Sequence, residues 1–229
     1  MEFLQAVSMI EQNGFLKYAS QESRDSFLSM SRKRCYQEGE VLFHENETSE
    51  LVFYLVSGAV SFTFHDKEGK SFILGIAADN TFIGELEVFN NGPRISQAIA
   101  LQDSEVLAIK KMHFLEIFRK DASALFHFVN YYAKELDYLM RFSLVMNVEK
   151  RLALALVKLA NLFGRESGQG ICIQLPLTQE TLAAMVGKPR QRVNRQLKAW
   201  ELNDWITVKY REVTIHKLEE LELFARVSD

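Results

Sequence analysis

Cysteine is scarce: Cys35 and Cys172 are the only two in 229 residues. Two thiols cannot furnish the four ligands of an iron–sulfur cluster or of a structural zinc site. Far apart in sequence, they read as reduced thiols of a cytoplasmic protein. Excess basic charge is missing too. The 27 Lys and Arg face 30 Asp and Glu, leaving a formal charge of -3, so affinity for nucleic acid has to come from a local patch. No apolar run approaches the ~18 residues that a membrane span needs. Residues 1–10 carry Glu2 and lack the basic start and apolar stretch of a secretory signal. A soluble, cytoplasmic chain with no membrane partner is expected. Clustered histidines are absent as well: His44, His65, His113, His127 and His216 are scattered. That pattern speaks against a haem ligand and against a metal-dependent enzyme of the cupin type. Neither a nucleophile–base motif nor a phosphate-cradling glycine loop occurs, so no enzyme is expected.

What is present is an ordinary globular balance, 48% hydrophobic and 25% charged, on a length suited to one large or two ordinary domains. The hydrophobic period changes twice. Residues 11–30 have helical spacing and suggest one or two short helices. Residues 34–109 are β-rich, with candidate strands at 41–43, 51–56, 59–64, 72–76 and 99–109. Gly39, Gly58, Gly69 and Asn90-Asn91-Gly92-Pro93 punctuate them, and Asp66-Lys67-Glu68-Gly69 reads as a hairpin turn. Such spacing predicts a β-sandwich or β-roll. Residues 111–146 turn helical, and Asn147 suits a hinge. A helix at 148–163 ends at Gly164, and a loop marked by Gly168 and Gly170 leads to a strand at 171–175. Strands at 205–208 and 212–215 flank the basic turn Lys209-Tyr210-Arg211, and a short helix at 218–224 closes the chain. The class is α+β, with a β-roll domain over 1–120, a long helix and hinge over 121–147, and a third segment over 148–229.

Leu125, Val129, Tyr132, Leu136, Leu139, Ser143 and Met146 are spaced by alternating fours and threes, the pattern of a coiled-coil seam. A second apolar face, with Phe128, Phe142 and Val145, remains for the β-roll. A helix apolar on two sides predicts one side for the core and one for a twin subunit in a homodimer. The alternative is a long helix lying on its own β-domain.

Thr178-Gln179-Glu180-Thr181 opens a helix with Thr178 as N-cap, and no capping box is formed because Thr181 stands where Glu is ideal. Leu182, Ala183 and Val186 give its buried face. Gly187 permits a left-handed turn, and Pro189 suits the first position of a second helix. There Val193, Leu197 and Trp200 should face inward, leaving Arg190, Gln191, Asn194 and Arg195 outward. Five basic and no acidic residues lie in 188–198. A helix-turn-helix followed by a β-wing fits the major groove, where Arg pairs with guanine and Gln or Asn with adenine. The expected DNA-facing set is Lys188, Arg190, Gln191, Arg192, Asn194, Arg195 and Lys198, with Thr178 and Gln179 at the start of the preceding helix. The competing reading is a solvated basic face. A related alternative is a signalling module whose winged helix makes only protein contacts.

Leu175-Pro176-Leu177-Thr178-Gln179-Glu180-Thr181-Leu182-Ala183, continuing through Arg195, resembles the DNA-binding signature of the cAMP receptor protein / fumarate-nitrate regulator (Crp/Fnr) family. Phe82-Ile83-Gly84-Glu85-Leu86 resembles the opening of that family's phosphate-binding cassette. The resemblance spans nearly the whole chain. It implies a cyclic-nucleotide-binding-like β-roll of jelly-roll type, a long dimerisation helix and a C-terminal winged helix-turn-helix. It also implies a transcription regulator that binds two-fold symmetric double-stranded DNA as a homodimer, and that meets RNA polymerase if it activates. Arg190, Gln191 and Arg195 would touch bases. The family commonly has Glu where this chain has Gln191, so the half-site should depart from the usual TGTGA/TTGAT type at that base.

The resemblance also implies an effector set: Gly84, Glu85, Leu86, Arg94 and Ser96. In cAMP-binding members an adjacent Arg-Ser pair holds the phosphate. Here an ungapped register puts Ser96 on the family's Ser but Ile95 on its Arg, with Arg94 one residue early. In extended chain that shift sends a side chain to the opposite face, unless a distortion near Pro93 brings Arg94 back. Where the family sets Thr-Ser against adenine, this chain has Leu136 and Asp137. These departures weigh against cAMP and leave open another small ligand, another nucleotide or no ligand. Glu85 is equally readable as a helix-capping or turn-stabilising carboxylate.

Overall fold

The computed structural model describes residues 15–145 and 147–226. The seam position Met146 and the helical spacing over 11–14 lie outside the described residues. Two compact units form. One takes residues up to Phe64 and Gly75–Glu135, and the other takes His65–Leu74 and the chain from Leu136 onward.

The first unit begins with a 3-10 turn, Phe15–Tyr18, and helix α1, Gln21–Met30, capped by the Ser20 side chain. Strands β1 (Arg32–Tyr36), β2 (Val41–Phe43), β3 (Leu51–His65), β4 (Ser71–Ala77) and β5 (Phe82–Ile83) follow. Then come the short helix α2, Leu86–Asn90, strand β6, Gln97–Lys110, helix α3, Lys111–Lys120, and helix α4, Ala122–Leu144, whose residues from Leu136 onward belong to the second unit. The sheet runs β1-β6-β3-β4, with β2 also on β6 and β5 also on β3. On β3, Val52 and Tyr54 face one side with Phe27, Leu107, Ile109, Phe114, Phe118 and Phe128. Phe53 and Leu55 face the other with Phe43, Ile83, Ala98, Val106 and Ala108. Both faces of the central pair are buried, so β3 shows a nearly continuous apolar run where a half-exposed strand would alternate.

Two expectations need correction. Residues 51–56 and 59–64 form one strand of 15 residues, not two. Gly58 is a bulge rather than a turn: the register shifts around it, its φ is +112°, and a Cβ there would lie 2.2 Å from Ser104 Oγ. The bulge bends a ribbon too long to stay flat. The helical stretch after 111 is likewise two helices. Asp121 breaks it, accepting from Ala124 N at 2.9 Å and from Ser20 N at 2.7 Å. It thereby caps α4 and ties it to α1. Strands β1 and β7 and helix α2 carried no signal strong enough to be expected.

Burial pushes the Asp121 carboxyl up, but the N–H groups of Ala124 and Ser20 and the hydroxyls of Ser23 and Ser20 outweigh it and hold the pKa at about 2. A depressed carboxylate stabilises the fold above its ordinary range. That contribution is lost as pH falls from the ordinary 3.8 toward about 2. Asp121→Ala is expected to cost roughly 0.5–2 kcal/mol at neutral pH. Asp121→Asn should keep much of the cap while flattening the acid limb of stability, as measured by urea melts from pH 2 to 7 (about one unit apart).

The second unit carries helix α5, Val148–Phe163, capped by the Asn147 side chain. Strands β7 (Gly164–Ser167) and β8 (Gly170–Ile173) follow, then α6 (Gln179–Val186), α7 (Arg190–Leu202), β9 (Ile206–Lys209), β10 (Glu212–Ile215) and α8 (Leu218–Ala225). Its sheet runs β7-β8-β10-β9, antiparallel throughout. Residues 164–167, expected to continue into a loop, pair with β8 instead. Trp200, Trp205 and Phe224 stack and edge together at 5.9–6.3 Å, locking α7 to the wing and to α8.

Candidate functional site

In the second unit, Thr178 caps α6 by accepting from Thr181 N at 3.0 Å. Gly187 ends α6 at φ +67°, with its N–H on Ala183 O, in a left-handed conformation that a β-carbon would strain. Pro189 sits one place earlier than expected, as N-cap of α7 rather than its first residue, and its carbonyl accepts from Arg192 N at 3.0 Å. Val193, Leu197 and Trp200 are buried as the spacing requires. That fixes the rotation of α7 and leaves Arg190, Gln191, Arg192, Arg195 and Lys198 exposed, whereas Asn194, expected outward, is half-buried.

The basic residues differ in what they touch. Arg190 reaches back to α6, with Nη1 2.6 Å from Glu180 Oε1 and Nε donating to Gln179 Oε1 at 3.1 Å. Gln179 also donates to Asn194 Oδ1 at 3.0 Å, so one amide links two residues of the expected reading face. Arg192 turns the other way, 3.5 Å from Glu149 on α5. It stays exposed, about 60° around α7 from Arg195, with its guanidinium directed to that carboxylate. Lys188 is half-buried at the turn. The wing tip is joined to this surface: Leu177 N donates to Arg211 O at 2.8 Å, just before the α6 cap. Glu180 and Gln179 as holders of Arg190 were not singled out by sequence. An i, i+10 pair across a turn has no local signature.

In the first unit, β5 leads into Gly84 at φ +79° and then α2. Of the expected effector residues, Glu85, Arg94 and Ser96 are buried, whereas Leu86 is exposed. Arg94 and Ser96 are buried and Ile95 is exposed, in a bent segment just before β6. Arg94, 2% exposed, donates from Nη1 to Gly84 O at 2.5 Å and from Nη2 to Leu51 O. Its Nη1 lies 3.3 Å from Glu87 Oε2, and its guanidinium stacks 4.1 Å over the Phe43 ring. Burial pulls the Arg94 pKa down, opposed by Glu87, Glu85 and Glu47.

Glu85, 4% exposed, makes no helix-capping bond; its Oε1 accepts from the Tyr132 hydroxyl on α4, and its Oε2 is buried without a partner. Burial pushes its carboxyl up, eased by the Tyr132 hydroxyl, its own backbone N–H and Arg94, while Glu87 pushes the same way as burial. The Tyr132 phenol is driven up in turn by burial, then by Glu85, and so stays a donor. Tyr132, expected on the seam, thus directs its hydroxyl toward the β-roll, and its ring packs on Phe128 at 4.7 Å. Leu125, Val129, Leu136, Leu139 and Ser143 remain exposed along α4, joined by Phe126, Met140 and Leu144. Asp137 pairs with Arg141 at 2.8 Å on the same helix. Glu87 was missed because its role depends on a buried cation seven residues away.

Among the described residues no group of three or more His, Cys, Asp or Glu side chains is placed to hold a metal ion, and no helix is long and apolar enough to cross a membrane.

Comparison with known proteins follows the same division. Residues 33–121 match the model of the cyclic nucleotide-binding domain, and residues 150–224 match that of the Crp-like helix-turn-helix domain. The chain is 27% identical over 198 residues to the anaerobic regulatory protein of Bacillus subtilis, covering 84% of this chain and 83% of that one. It is 25% identical over 194 residues to a CRP-like cAMP-activated global transcriptional regulator of Mycobacterium tuberculosis, covering 83% and 87%. The fold is shared with FixK2 from Bradyrhizobium japonicum at a TM-score of 0.74 and 18% identity, over 87% of this chain and 99% of that one. With a cyclic nucleotide-binding domain followed by a Crp-like helix-turn-helix, the chain belongs to the Crp/Fnr family of transcription regulators.

Proposed function

We propose that this chain is a homodimeric, sequence-specific DNA-binding regulator whose output is set through its β-roll. The observation that carries this reading is the solvent face of α7, where Gln191, Arg195 and Lys198 stand exposed over a buried Val193–Leu197–Trp200 row. Two copies pair along the exposed apolar face of α4. Their α7 helices then enter successive major grooves ~34 Å apart and read a two-fold symmetric site. Arg190, Gln191 and Arg195 read bases. Thr178, Gln179, Lys188 and Lys198 meet the backbone, and Asn194 holds Gln179. Contact with RNA polymerase follows where the bound site activates.

Gln191 supplies the test of sequence reading. Its amide suits adenine, whereas a carboxylate accepts from cytosine. Selection from a random duplex library by the wild-type chain and by Gln191→Glu is expected to return sites that differ at one symmetric pair of positions. Identical sites from both proteins would remove Gln191 from the reading face.

A further inference from the structure

The family model names a cyclic nucleotide, an anion whose phosphate needs a cation or free N–H groups. Among the described residues Arg94 is the buried cation, and both of its Nη atoms are bonded to the protein itself, while its Nε is buried without a partner. A β-carbon on Gly84 would lie 2.2 Å from Arg94 Nη1 and 2.8 Å from Cζ, so the guanidinium fills the space that this glycine opens. The backbone of Arg94 is pinned on both sides, with Asn46 N on its carbonyl and its own N–H on Glu47 O, each at 2.9 Å. Turning the fork outward would break the bonds to Gly84, Leu51 and Glu87 and leave the buried Glu87 carboxylate without its cation, held by the Ile95 N–H at 3.3 Å. Two buried carboxylates, Glu85 and Glu87, already face this one cation. An entering phosphate would add a further negative charge.

The second half of the arrangement is the Tyr132 bond. It ties the residue that ends the glycine turn, Glu85, to α4, the helix whose other face carries the exposed apolar row. A ligand bridging the turn and the helix would make this same connection. We infer that the chain occupies its own effector cradle: Arg94 fills the phosphate position and Tyr132 joins Glu85 to α4, so the DNA-binding form is reached without a cyclic nucleotide. This rests on the DNA-binding reading above. It implies that the signal to this β-roll is not a cyclic nucleotide, and that the Glu85–Tyr132 bond couples the two halves of the regulator.

The test uses the full chain and a selected duplex, with fluorescence anisotropy in the absence and presence of excess cAMP or cGMP. Self-occupancy predicts tight binding without nucleotide and less than about a twofold change on adding either one. Tyr132→Phe and Glu85→Ala are each expected to weaken duplex binding roughly 5- to 30-fold, with melting temperature and dimer mass measured alongside. The double variant should be no weaker than the weaker single one, because both remove the same bond. Binding that appears only with a cyclic nucleotide would overturn self-occupancy and leave the DNA-binding reading intact. Wild-type affinity in Tyr132→Phe, or losses that add in the double variant, would overturn the coupling. No duplex binding under any condition would overturn the DNA-binding reading itself, and self-occupancy with it.

Discussion

Arg195→Ala is expected to weaken binding to the selected duplex about 5- to 150-fold, the 1–3 kcal/mol of a side chain that reads a base, and to relax preference at one position of each half-site. The reason lies in the rotation of α7. Burial of Val193, Leu197 and Trp200 fixes which side of the helix meets the core, and Arg195 lies opposite, exposed. Its guanidinium has five donors and needs no rearrangement of the core to meet guanine O6 and N7. Arg190 should give a smaller loss. It enters any base contact by leaving Glu180 and Gln179, so part of its gain is offset. Lys198→Ala serves as the contrast: it should lower affinity for all duplexes alike and reduce the salt slope by about one. Arg192→Ala should do neither, since Arg192 faces Glu149. Anisotropy titrations over a salt series, on the selected and a scrambled duplex, separate the three behaviours.

The second large effect concerns α4. Leu136→Asp is expected to convert the dimer to monomer and to lower affinity for the two-half-site duplex by roughly a hundredfold or more. Leu136 is 58% exposed, so the folded chain tolerates the change at little more than the cost of helix propensity. In the proposed dimer a two-fold axis would bring two aspartates together in an apolar contact, and each buried charge lacks a partner. Sedimentation equilibrium reads the mass, and the same anisotropy assay reads the affinity. A variant that stays dimeric with unchanged melting temperature would place the contact elsewhere on the chain.

Much of the DNA-binding unit was legible in the sequence because its determinants are local. Gly187 marks the one residue of the turn that needs positive φ, and the Val193–Leu197–Trp200 spacing declares the buried side of α7. The fate of each arginine was not legible. Arg190 and Arg192 are two residues apart, yet one meets Glu180 on α6 and the other Glu149 on α5, and only tertiary packing separates them. The β-roll shows the same contrast. Alternation and turn residues located β2, β4 and β6 well. Gly58 misled because a glycine with positive φ serves a bulge as readily as a turn, and the deciding contact, Ser104, lies across the ladder. Asp121 was overlooked because a single capping residue inside an apolar, helical stretch leaves the period nearly undisturbed. The cradle was half visible. The early position of Arg94 could be read from register, but its capture by Glu87, Gly84, Leu51 and Phe43 depends on strands and a turn that meet only in the fold.

The most direct test of a paired α7 reading a two-fold site is a hydroxyl-radical footprint of the wild-type chain on its selected duplex. The account predicts two protected patches related by symmetry, with centres about 10–10.5 base pairs apart, formed without added nucleotide. A single patch, or protection with no two-fold relation, would contradict it.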